Sequence, residues 1–482
     1  MKQIDDSEAV RLMTGGGDER LVLDPATGLN RYHSAPRPSP VLAYASSTAN
    51  DISPAAFDHV REVLAEIGRD LSSRSYGERL ERLRGRIRAA YALPDDVDIV
   101  FAPSGTDLEY AALACVAGRG ANGTHNILLG ADEVGSGCIH SAYGRYFAAT
   151  TALGVATRAG EPVPGLGEVA LTDVPVRDAA GRARQSADIS ASIAQCAEAA
   201  RREGRHVLVH VVHGSKTGLI LPTLDDVDRL RQRFGEAASF VVDACQARIT
   251  SAAIGEYLAR DAIVFVTGSK FMGGPPFSGF ALVPPGFRRR APALPEGLAT
   301  VFRRGEWPGG WPGAERLEES ANVGLLLRLE ASIFELGRFQ RLSGGAAERV
   351  ILAFHRAVRD EIVERSAARR VAPYAPGEKE TADTHAVEMR TLSTLDLSGL
   401  AGGGAGFDDA TGWYKALLGH GVRLGQPVKC VRLADGGWGA TLRIGLTMPQ
   451  IVERAALDDA ALSGLFAADM ARIRQALLAV AS

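Results

Sequence analysis

The chain has 482 residues, 46% of them hydrophobic, which is enough for two or three domains and a large core. Its 54 basic and 57 acidic residues leave a net charge of −3, and this balance excludes the basic surface of a protein that binds nucleic acid or an anionic membrane. Five cysteines without CxxC spacing argue against a zinc site or a disulfide scaffold. Because no apolar N-terminal run or long apolar segment is present either, we expect a cytoplasmic protein.

The N-terminal part of the chain predicts an arm followed by two helices. Residues 1–45 are polar and rich in Gly and Pro, so we expect an irregular arm there. Ser53 is a favourable N-cap and Pro54 suits the first helical position, which predicts a helix start. The helical spacing of apolar residues between Leu80 and Tyr91 predicts the second helix.

Between residues 97 and 284, short apolar runs alternate with helical segments. This alternation is typical of βαβ units, and it predicts a large α/β domain (46–310) with a mostly parallel seven-stranded sheet between helices. We also expect a hairpin at residues 168–185. The predicted strands are VDIVFA (97–102), NILLG (126–130), HVLVHVV (206–212), SFVVD (239–243), AIVFVT (262–267) and SGFALVP (278–284).

The pattern changes after residue 284, where Pro- and Gly-rich stretches precede a long helical segment, NVGLLLRLEASIFELGRF. A strand is predicted at 385–397, followed by a Gly-rich loop. Two short strands around Arg443 then precede a closing helix. These elements predict a smaller C-terminal α+β domain (311–482).

Two of the predicted strands end in residues that carry chemistry. SFVVD ends at Asp243, and AIVFVT ends just before Gly-Ser-Lys270. The carboxyl ends of parallel strands meet at one edge of a sheet, where ligands bind, so we expect both side chains to face one crevice. An acid that can hold a protonated ring nitrogen, facing a lysine that can form an imine, is the minimal apparatus for pyridoxal phosphate. The SGTD stretch adds a phosphate site, because Gly105 permits close approach and a helix N-terminus presents N–H groups.

The stretches SGTD, SFVVDACQ, TGSK and LRIG, in this order, resemble those of the fold-type-I pyridoxal-phosphate enzymes. The closest likeness is to the class V aminotransferase and cysteine desulfurase group, and it covers the chain from about Tyr44 onward. The resemblance implies an aspartate-aminotransferase-like fold, pyridoxal 5'-phosphate as the cofactor and an α-amino acid substrate. It also implies a homodimer whose active sites lie at the subunit interface.

The resemblance further implies roles for individual residues. Lys270 would form the Schiff base with the cofactor and shuttle the proton at the substrate's Cα. Asp243 would contact the ring nitrogen, and Gln246 and Ser215 the ring oxygen. His140 would cover the ring face, where Glu133 or the Gly135–Ser136 backbone is the alternative. The phosphate would be bound by Ser104, Gly105, Thr106, Thr267, Ser269 and, across the dimer interface, Ser320. Arg443 would clamp the substrate α-carboxylate, with Ser46 and Tyr76 at the substrate entrance.

The sequence departs from the group's pattern at several positions. Ser269 stands where the group often has histidine, so the phosphate contact lacks one positive charge. Asp107 places an acid beside the predicted phosphate site, which is unfavourable unless it points away. Lys216 is predicted to be a solvent-facing loop residue rather than a second catalytic amine. The loop that contains Trp307 and Trp311 does not match the common core.

These features predict an aminotransferase. The alternative is a cysteine desulfurase or a β/γ-eliminating lyase, which would use the same Cα carbanion. Cys430 resembles in position the persulfide-forming cysteine of one branch of the desulfurases, but Val428 and Lys429 precede it where those enzymes have histidines. The intact lysine, aspartate and arginine argue against a scaffold without catalysis.

Overall fold

The computed structural model describes residues 5–68, 71–131, 133–135, 137–377, 390–400 and 402–482. Its helices are α1 (Asp6–Met13), α2 (Pro54–Ile67), α3 (Ser73–Tyr91), α4 (Leu108–Val116), α5 (Cys138–Ala142), α6 (Ser186–Arg202), α7 (Leu224–Phe234), α8 (Ser251–Ala259), α9 (Pro285–Arg290), α10 (Val323–Gln340), α11 (Gly344–Ala357), α12 (Phe407–Ala416), α13 (Met448–Arg454) and α14 (Asp459–Ala481). Its strands are β1 (Leu42–Tyr44), β2 (Asp98–Ala102), β3 (Thr124–Leu129), β4 (Val169–Val174), β5 (His206–His213), β6 (Ile220–Leu221), β7 (Ala238–Ala244), β8 (Ala262–Thr267), β9 (Gly279–Val283), β10 (Arg369–Val371), β11 (Leu392–Asp396), β12 (Val422–Leu424) and β13 (Thr441–Gly445). None of these described helices is long and apolar enough to cross a membrane.

The central sheet has the strand order β2-β9-β8-β7-β5-β3-β4, and the short β6 pairs with β5 outside this path. The pairs from β8 through β4 are parallel, whereas β9 runs antiparallel to both of its neighbours. Along β7, Phe240 and Val242 enter the core on one face of the sheet and Val241 enters the core on the other. A strand buried on both faces reads as a continuous apolar run, and the predicted mostly parallel seven-stranded sheet is confirmed.

The hairpin expected at residues 168–185 is confirmed only at its turn, where the Arg184 N–H donates to the Val176 carbonyl at 2.9 Å, and is wrong for the apolar run before it. Val169–Val174 instead forms the edge strand β4, parallel to β3, so its backbone groups are paired with that strand. The following turn is closed by a single bridge between Arg177 and Ala183. Turn residues near an apolar run indicated a local hairpin, but they could not show that the run pairs with a distant strand.

The N-terminal segment is only partly irregular, contrary to the expectation for residues 1–45. Asp6–Met13 forms α1, capped by the Asp5 side chain, which accepts a hydrogen bond from the Ser7 N–H. Its buried Ala9 and Met13 pack in a small core with residues of α2 and α10. The Gly and Pro content that suggested an arm lies after this helix, so composition over the whole segment concealed it.

The C-terminal part contains a three-stranded sheet of order β10-β11-β13 and the parallel pair β1–β12. Within the predicted strand 385–397, β11 occupies Leu392–Asp396, and residues 385–389 lie outside the described residues. The long helix α10 and the closing helix α14 form as the sequence predicts. Because β1 pairs with β12, the end of the predicted arm is built into this C-terminal part.

A buried ion pair fixes β12 to the segment before α2. Arg423 is 2% exposed, and its Nη2 lies 2.7 Å from Asp51 Oδ2 while its Nη1 also donates to the His33 carbonyl at 2.6 Å. Removing the cation would leave the carboxylate buried without compensation.

We therefore expect Arg423→Met to lower the free energy of unfolding by about 3 kcal/mol. The matched control is Arg182→Met, which breaks an ion pair whose arginine side chain is 64% exposed and should change stability by less than about 1 kcal/mol. Urea midpoints of both variants check this, and equal midpoints would show that burial of the Arg423 pair contributes nothing.

Candidate active site

A cavity of about 130 Å³ opens at the carboxyl edge of the central sheet. Parallel strands end there and their connecting loops diverge, which leaves a crevice in this type of sheet. The sequence-predicted residues that line it are Gly105, Thr106, Asp243, Thr267, Ser269, Lys270 and Arg443. Among the described residues, no group of three or more His, Cys, Asp or Glu side chains could hold a metal ion.

Asp243 and Lys270 meet in this cavity because β7 and β8 are parallel neighbours. Asp243 is 9% exposed and accepts a hydrogen bond from the Cys245 N–H at 2.9 Å, which fixes one carboxylate oxygen. Lys270 lies in the turn after β8. Asn50 holds that turn by donating to the carbonyls of Ser269 at 3.0 Å and Lys270 at 2.6 Å.

The SGTD loop follows β2 and packs closely against the end of β8. A Cβ on Gly105 would lie 2.8 Å from Thr267 Cγ2, so a larger residue would displace one of the two loops. Gly105 and Thr106 line the cavity, while Ser104 lies behind them, almost fully buried. Thr267 donates to the Cys245 carbonyl at 2.5 Å, which ties the three loops of this wall together.

Arg20 also lines the cavity, and the sequence analysis missed it. Its Nη1 donates to Thr106 Oγ1 at 3.2 Å and its Nη2 to Ser104 Oγ at 3.1 Å. The residue is 9% exposed, and its pKa is raised because the hydrogen bonds and charge of Asp18 outweigh burial, which acts to lower it. Only the run of charged residues in GGGDER could have drawn attention to it, since the two hydroxyls that it contacts lie more than eighty residues away in the chain.

Arg443 reaches the opposite wall from β13 and is 2% exposed. Its Nε donates to the Gln426 carbonyl at 2.9 Å, its Nη1 to the Ser47 and Lys216 carbonyls at 3.2 Å, and its Nη2 to Thr48 Oγ1 at 3.0 Å. Burial lowers its pKa to about 10 despite the charge of Glu133. These four contacts leave one of the five guanidinium N–H groups for another acceptor.

Lys216 lines the same cavity rather than facing solvent as expected. Burial, followed by the positive charges of Arg443 and Lys270, lowers its pKa to about 8. The cavity therefore holds two lysines. No sequence pattern indicates that Lys216 turns inward, because the side-chain directions of neighbouring loop residues follow no period.

Ser46 and Gln246 lie outside the cavity lining, drawn away by the buried Arg248. Arg248 donates to Ser46 Oγ at 2.7 Å and to Gln246 Oε1 at 2.8 Å. The Gln246 amide donates to the Ser47 carbonyl at 3.3 Å. The contacts of Gln246 with a ring oxygen and of Ser46 with substrate therefore remain predictions that would need these side chains to reorient.

Ser215 and Glu133 belong to a buried network beside the cavity. Ser215 Oγ donates to Glu133 Oε2 at 2.7 Å, and Arg177 Nε lies 2.6 Å from Glu133 Oε1. Burial opposes ionisation of Glu133, but the Arg177 charge and the hydrogen bonds from Ser215 and Thr217 prevail and lower its pKa. Neither residue lines the cavity, so their implied ring contacts are not formed in this arrangement.

The remaining predicted residues lie at the surface or in the core. His140 is on the exposed face of α5, whereas Gly135 and Cys138 line the cavity near it. Tyr76 is fully buried and donates to Glu306 at 2.9 Å, and Ser320 accepts from Arg303 Nε at 3.0 Å. In a single chain, none of these three predicted residues reaches the cavity.

Cys430 is 5% exposed and does not line the cavity. Burial raises the pKa of its thiol to about 12. The Lys429 ammonium lies 5.3 Å from the centre of the Phe407 ring instead of activating the thiol.

Neither the protein-family models nor the curated proteins contain a match to this chain. Solved structures do match. An aspartate aminotransferase from Thermus thermophilus superposes with a TM-score of 0.51 at 16% identity, covering 90% of this chain and 98% of that one. The chain has the aspartate-aminotransferase-like fold.

Two further structures extend this similarity. A cysteine desulfurase from Escherichia coli gives a TM-score of 0.54 at 13% identity and covers 91% of this chain and 95% of its own. A serine palmitoyltransferase from S. paucimobilis, with a bound PLP–myriocin aldimine, gives a TM-score of 0.54 at 13% identity and covers 98% of this chain and 96% of its own. The resemblance seen in the sequence is thus confirmed for the fold. These neighbours share that fold although they catalyse different reactions.

Asp107, the unexpected acid of the SGTD loop, is buried and accepts a hydrogen bond from Ser104 Oγ at 2.6 Å. Burial raises the pKa of this carboxyl to about 7. Between its unfolded value of about 4 and this folded value, the folded protein holds a proton that the unfolded chain lacks. Stability from this group is therefore complete below pH 4 and is lost as pH rises through 7.

We expect Asp107→Asn to stabilise the cofactor-free protein at pH 8, by an amount on the order of 2 kcal/mol, and to have little effect near pH 4. Urea midpoints across this range measure the change. Asp225→Asn, at an exposed position in the first turn of α7, is the control and should change stability by less than about 0.5 kcal/mol at either pH. A pH-independent difference for Asp107→Asn would contradict the assigned cause.

Proposed function

We propose that the protein is a pyridoxal-phosphate-dependent enzyme that acts at Cα of an α-amino acid, and that its reaction is transamination. The observation that carries this proposal is the convergence of Asp243, Lys270 and the SGTD loop in one cavity, at the sheet edge where this fold places ligands. The neighbours of this fold include aminotransferases and enzymes of other reactions, so the residues of the cavity must decide the function.

The charges of the cavity fit this cofactor and an amino acid. Its described lining contains four cations, Arg20, Lys216, Lys270 and Arg443, and one carboxylate, Asp243. Such an excess of positive charge suits a phosphate dianion and a carboxylate. The hydroxyls of Thr106 and Ser269 supply neutral donors beside the loop where the phosphate would bind, whereas that of Thr267 already donates to the Cys245 carbonyl.

When bound, pyridoxal phosphate supplies an aldehyde that reacts with amines and a ring that withdraws electrons from the substrate's Cα. Lys270 is the amine that would hold the aldehyde and then move the proton at Cα. Asp243 would keep the ring nitrogen protonated, and its second oxygen is the one left for that contact after the Cys245 N–H.

The nearby Glu109 and His210 favour this role for Asp243. Their side chains are fully buried, with Oε2 and Nε2 3.3 Å apart. Burial, and secondly the charge of Asp243, raise the pKa of Glu109 well above its usual value, and burial lowers that of His210 to about 4. Both pKa shifts disfavour charges on this buried pair, and of these three groups Asp243 is the one that lines the cavity.

Arg443 would hold the substrate α-carboxylate. Four of its N–H groups are engaged with protein acceptors, so a carboxylate would bind through the remaining Nη2 N–H and the nearby Lys216 ammonium, or would displace a carbonyl. This differs from the bidentate clamp that the sequence resemblance implies. The Ser320 contact and the homodimer remain predictions that depend on a second subunit, and the contact of His140 with the ring face remains a prediction within one chain.

The buried state of Cys430 favours transamination over desulfuration. A persulfide-forming cysteine must be accessible and must ionise, since the thiolate is the nucleophile. Burial and the raised pKa of Cys430 oppose both requirements. An eliminating lyase that needs no cysteine stays the alternative.

The cofactor assignment predicts where borohydride will attach it. Purified protein incubated with pyridoxal phosphate and reduced should carry one covalent label per chain, on Lys270, and Lys270→Ala should carry none. Lys216→Ala is the matched control, because it removes the other amine of the cavity and should leave the label in place. Absence of label from the wild-type protein, or its appearance on Lys216, would reject the assignment.

The reaction is tested by incubating the loaded enzyme with single amino acids and identifying the cofactor afterwards. Transamination yields pyridoxamine phosphate and a keto acid, whereas a lyase releases a leaving group and keeps the aldehyde form. Arg443→Gln should raise KM for the reactive amino acid about 100-fold and change KM for the corresponding amine less than about threefold. Equal effects on both would contradict the carboxylate contact.

A further inference from the structure

A glycine turn fixes the N-terminal segment to the body of the protein. The buried Arg328 of α10 donates to the carbonyls of Met13 and Gly15 at 2.7 Å and of Gly16 at 3.0 Å. Gly16 has a φ of +64°, and a Cβ there would lie 1.8 Å from Asn322 Oδ1, so a side chain cannot be accommodated. The turn therefore fixes the position of the residues that follow it relative to α10.

Those residues carry Arg20 into the cavity wall in a defined orientation. Its Cζ lies 5.0 Å and 4.5 Å from the ring centres of Phe147 and Phe277. Asp18 binds its Nε at 2.7 Å and its Nη2 at 2.6 Å, and Asp18 itself is 8% exposed in its side chain. Because Asp18 engages Nε and one N–H of Nη2, the guanidinium is oriented so that Nη1 donates to the Thr106 hydroxyl and Nη2 also donates to the Ser104 hydroxyl.

Asp18 does not remove the capacity of this guanidinium to bind an anion. A guanidinium has five N–H donors, and the Asp18 side chain engages two of them. A carboxylate behind an arginine fixes its plane, which reduces the entropy lost when a second anion binds on the other side. The Thr106 hydroxyl, which lines the cavity and accepts a hydrogen bond from Arg20, can donate to the same anion.

This arrangement places a positive charge directly beside the SGTD loop. Ser269 precedes Lys270 where the resembling enzymes often have histidine. Among the described residues, Arg20 is the cation that hydrogen-bonds to the SGTD side chains. The neighbouring Asp107 is held in a hydrogen bond with Ser104, away from the cavity lining.

We propose that Arg20 binds the cofactor's phosphate, so that the N-terminal segment is an integral part of the cofactor site and cofactor affinity depends on its docking. The inference rests on the proposed function, because it requires that pyridoxal phosphate binds in this cavity. It adds a residue and a segment that lie before Tyr44, where the resemblance in sequence begins.

The test compares two ligands that differ only in the phosphate. Equilibrium affinities of the cofactor-free protein for pyridoxal phosphate and for pyridoxal are measured in the wild type, Arg20→Met and Arg20→Lys. Loss of a charge-assisted contact should weaken pyridoxal phosphate binding about 30- to 100-fold in Arg20→Met, with a smaller loss in Arg20→Lys. Pyridoxal affinity should change less than about twofold.

Two further variants separate the charge from the fold of the segment. Arg11→Met removes a 69% exposed arginine from α1 and should leave both affinities unchanged. Gly16→Val, remote from the cavity, should undock the segment and reproduce the selective loss of pyridoxal phosphate binding.

The outcomes are distinct. If the wild type binds neither ligand, the proposed function fails. If the wild type binds pyridoxal phosphate and Arg20→Lys and Arg20→Met bind it equally well, the inference about Arg20 fails while the function stands. Equal weakening of both ligands would show that Arg20 only supports the fold, and wild-type affinity in a folded Gly16→Val would overturn the dependence on docking.

Discussion

The parallel pairing of β7 and β8 is the constraint on which the candidate site depends. It sets Asp243 beside Phe265, so the acid lies near the end of its strand while the neighbouring strand still has two residues to run before the turn that carries Lys270. Both strands are buried on both faces, and their register cannot slip without exposing apolar side chains. Rigid strands thus hold the two reactive groups, and loops from elsewhere complete the cavity around them.

The residues that the sequence located correctly are those whose position follows from local pattern. Asp243, Thr267 and Lys270 stand at the ends of apolar runs, and the SGTD loop stands between a strand and a helix. A parallel sheet brings all such ends to one edge, so a local reading is sufficient there. The fold class could be predicted for the same reason.

The residues that the sequence could not place depend on partners distant in the chain or on the direction of one side chain. Gln246 is turned by Arg248, two residues on, towards a region built by Ser46 and Thr391. Lys216 faces inward while the adjacent Ser215 binds Glu133. Arg20 reaches the cavity because Arg328 of α10 binds the glycine turn that precedes it. No periodic pattern in the N-terminal segment predicts that contact.

Burial opposes the positive charges of the cavity, and this favours a role for them in binding over one in stability. Burial lowers the pKa of Arg443 to about 10, and burial and neighbouring cations lower that of Lys216 to about 8. A chain under selection for stability alone would replace such buried charges with apolar residues. A ligand with a phosphate and a carboxylate would neutralise them, so its binding energy includes the relief of repulsion already present in the folded protein.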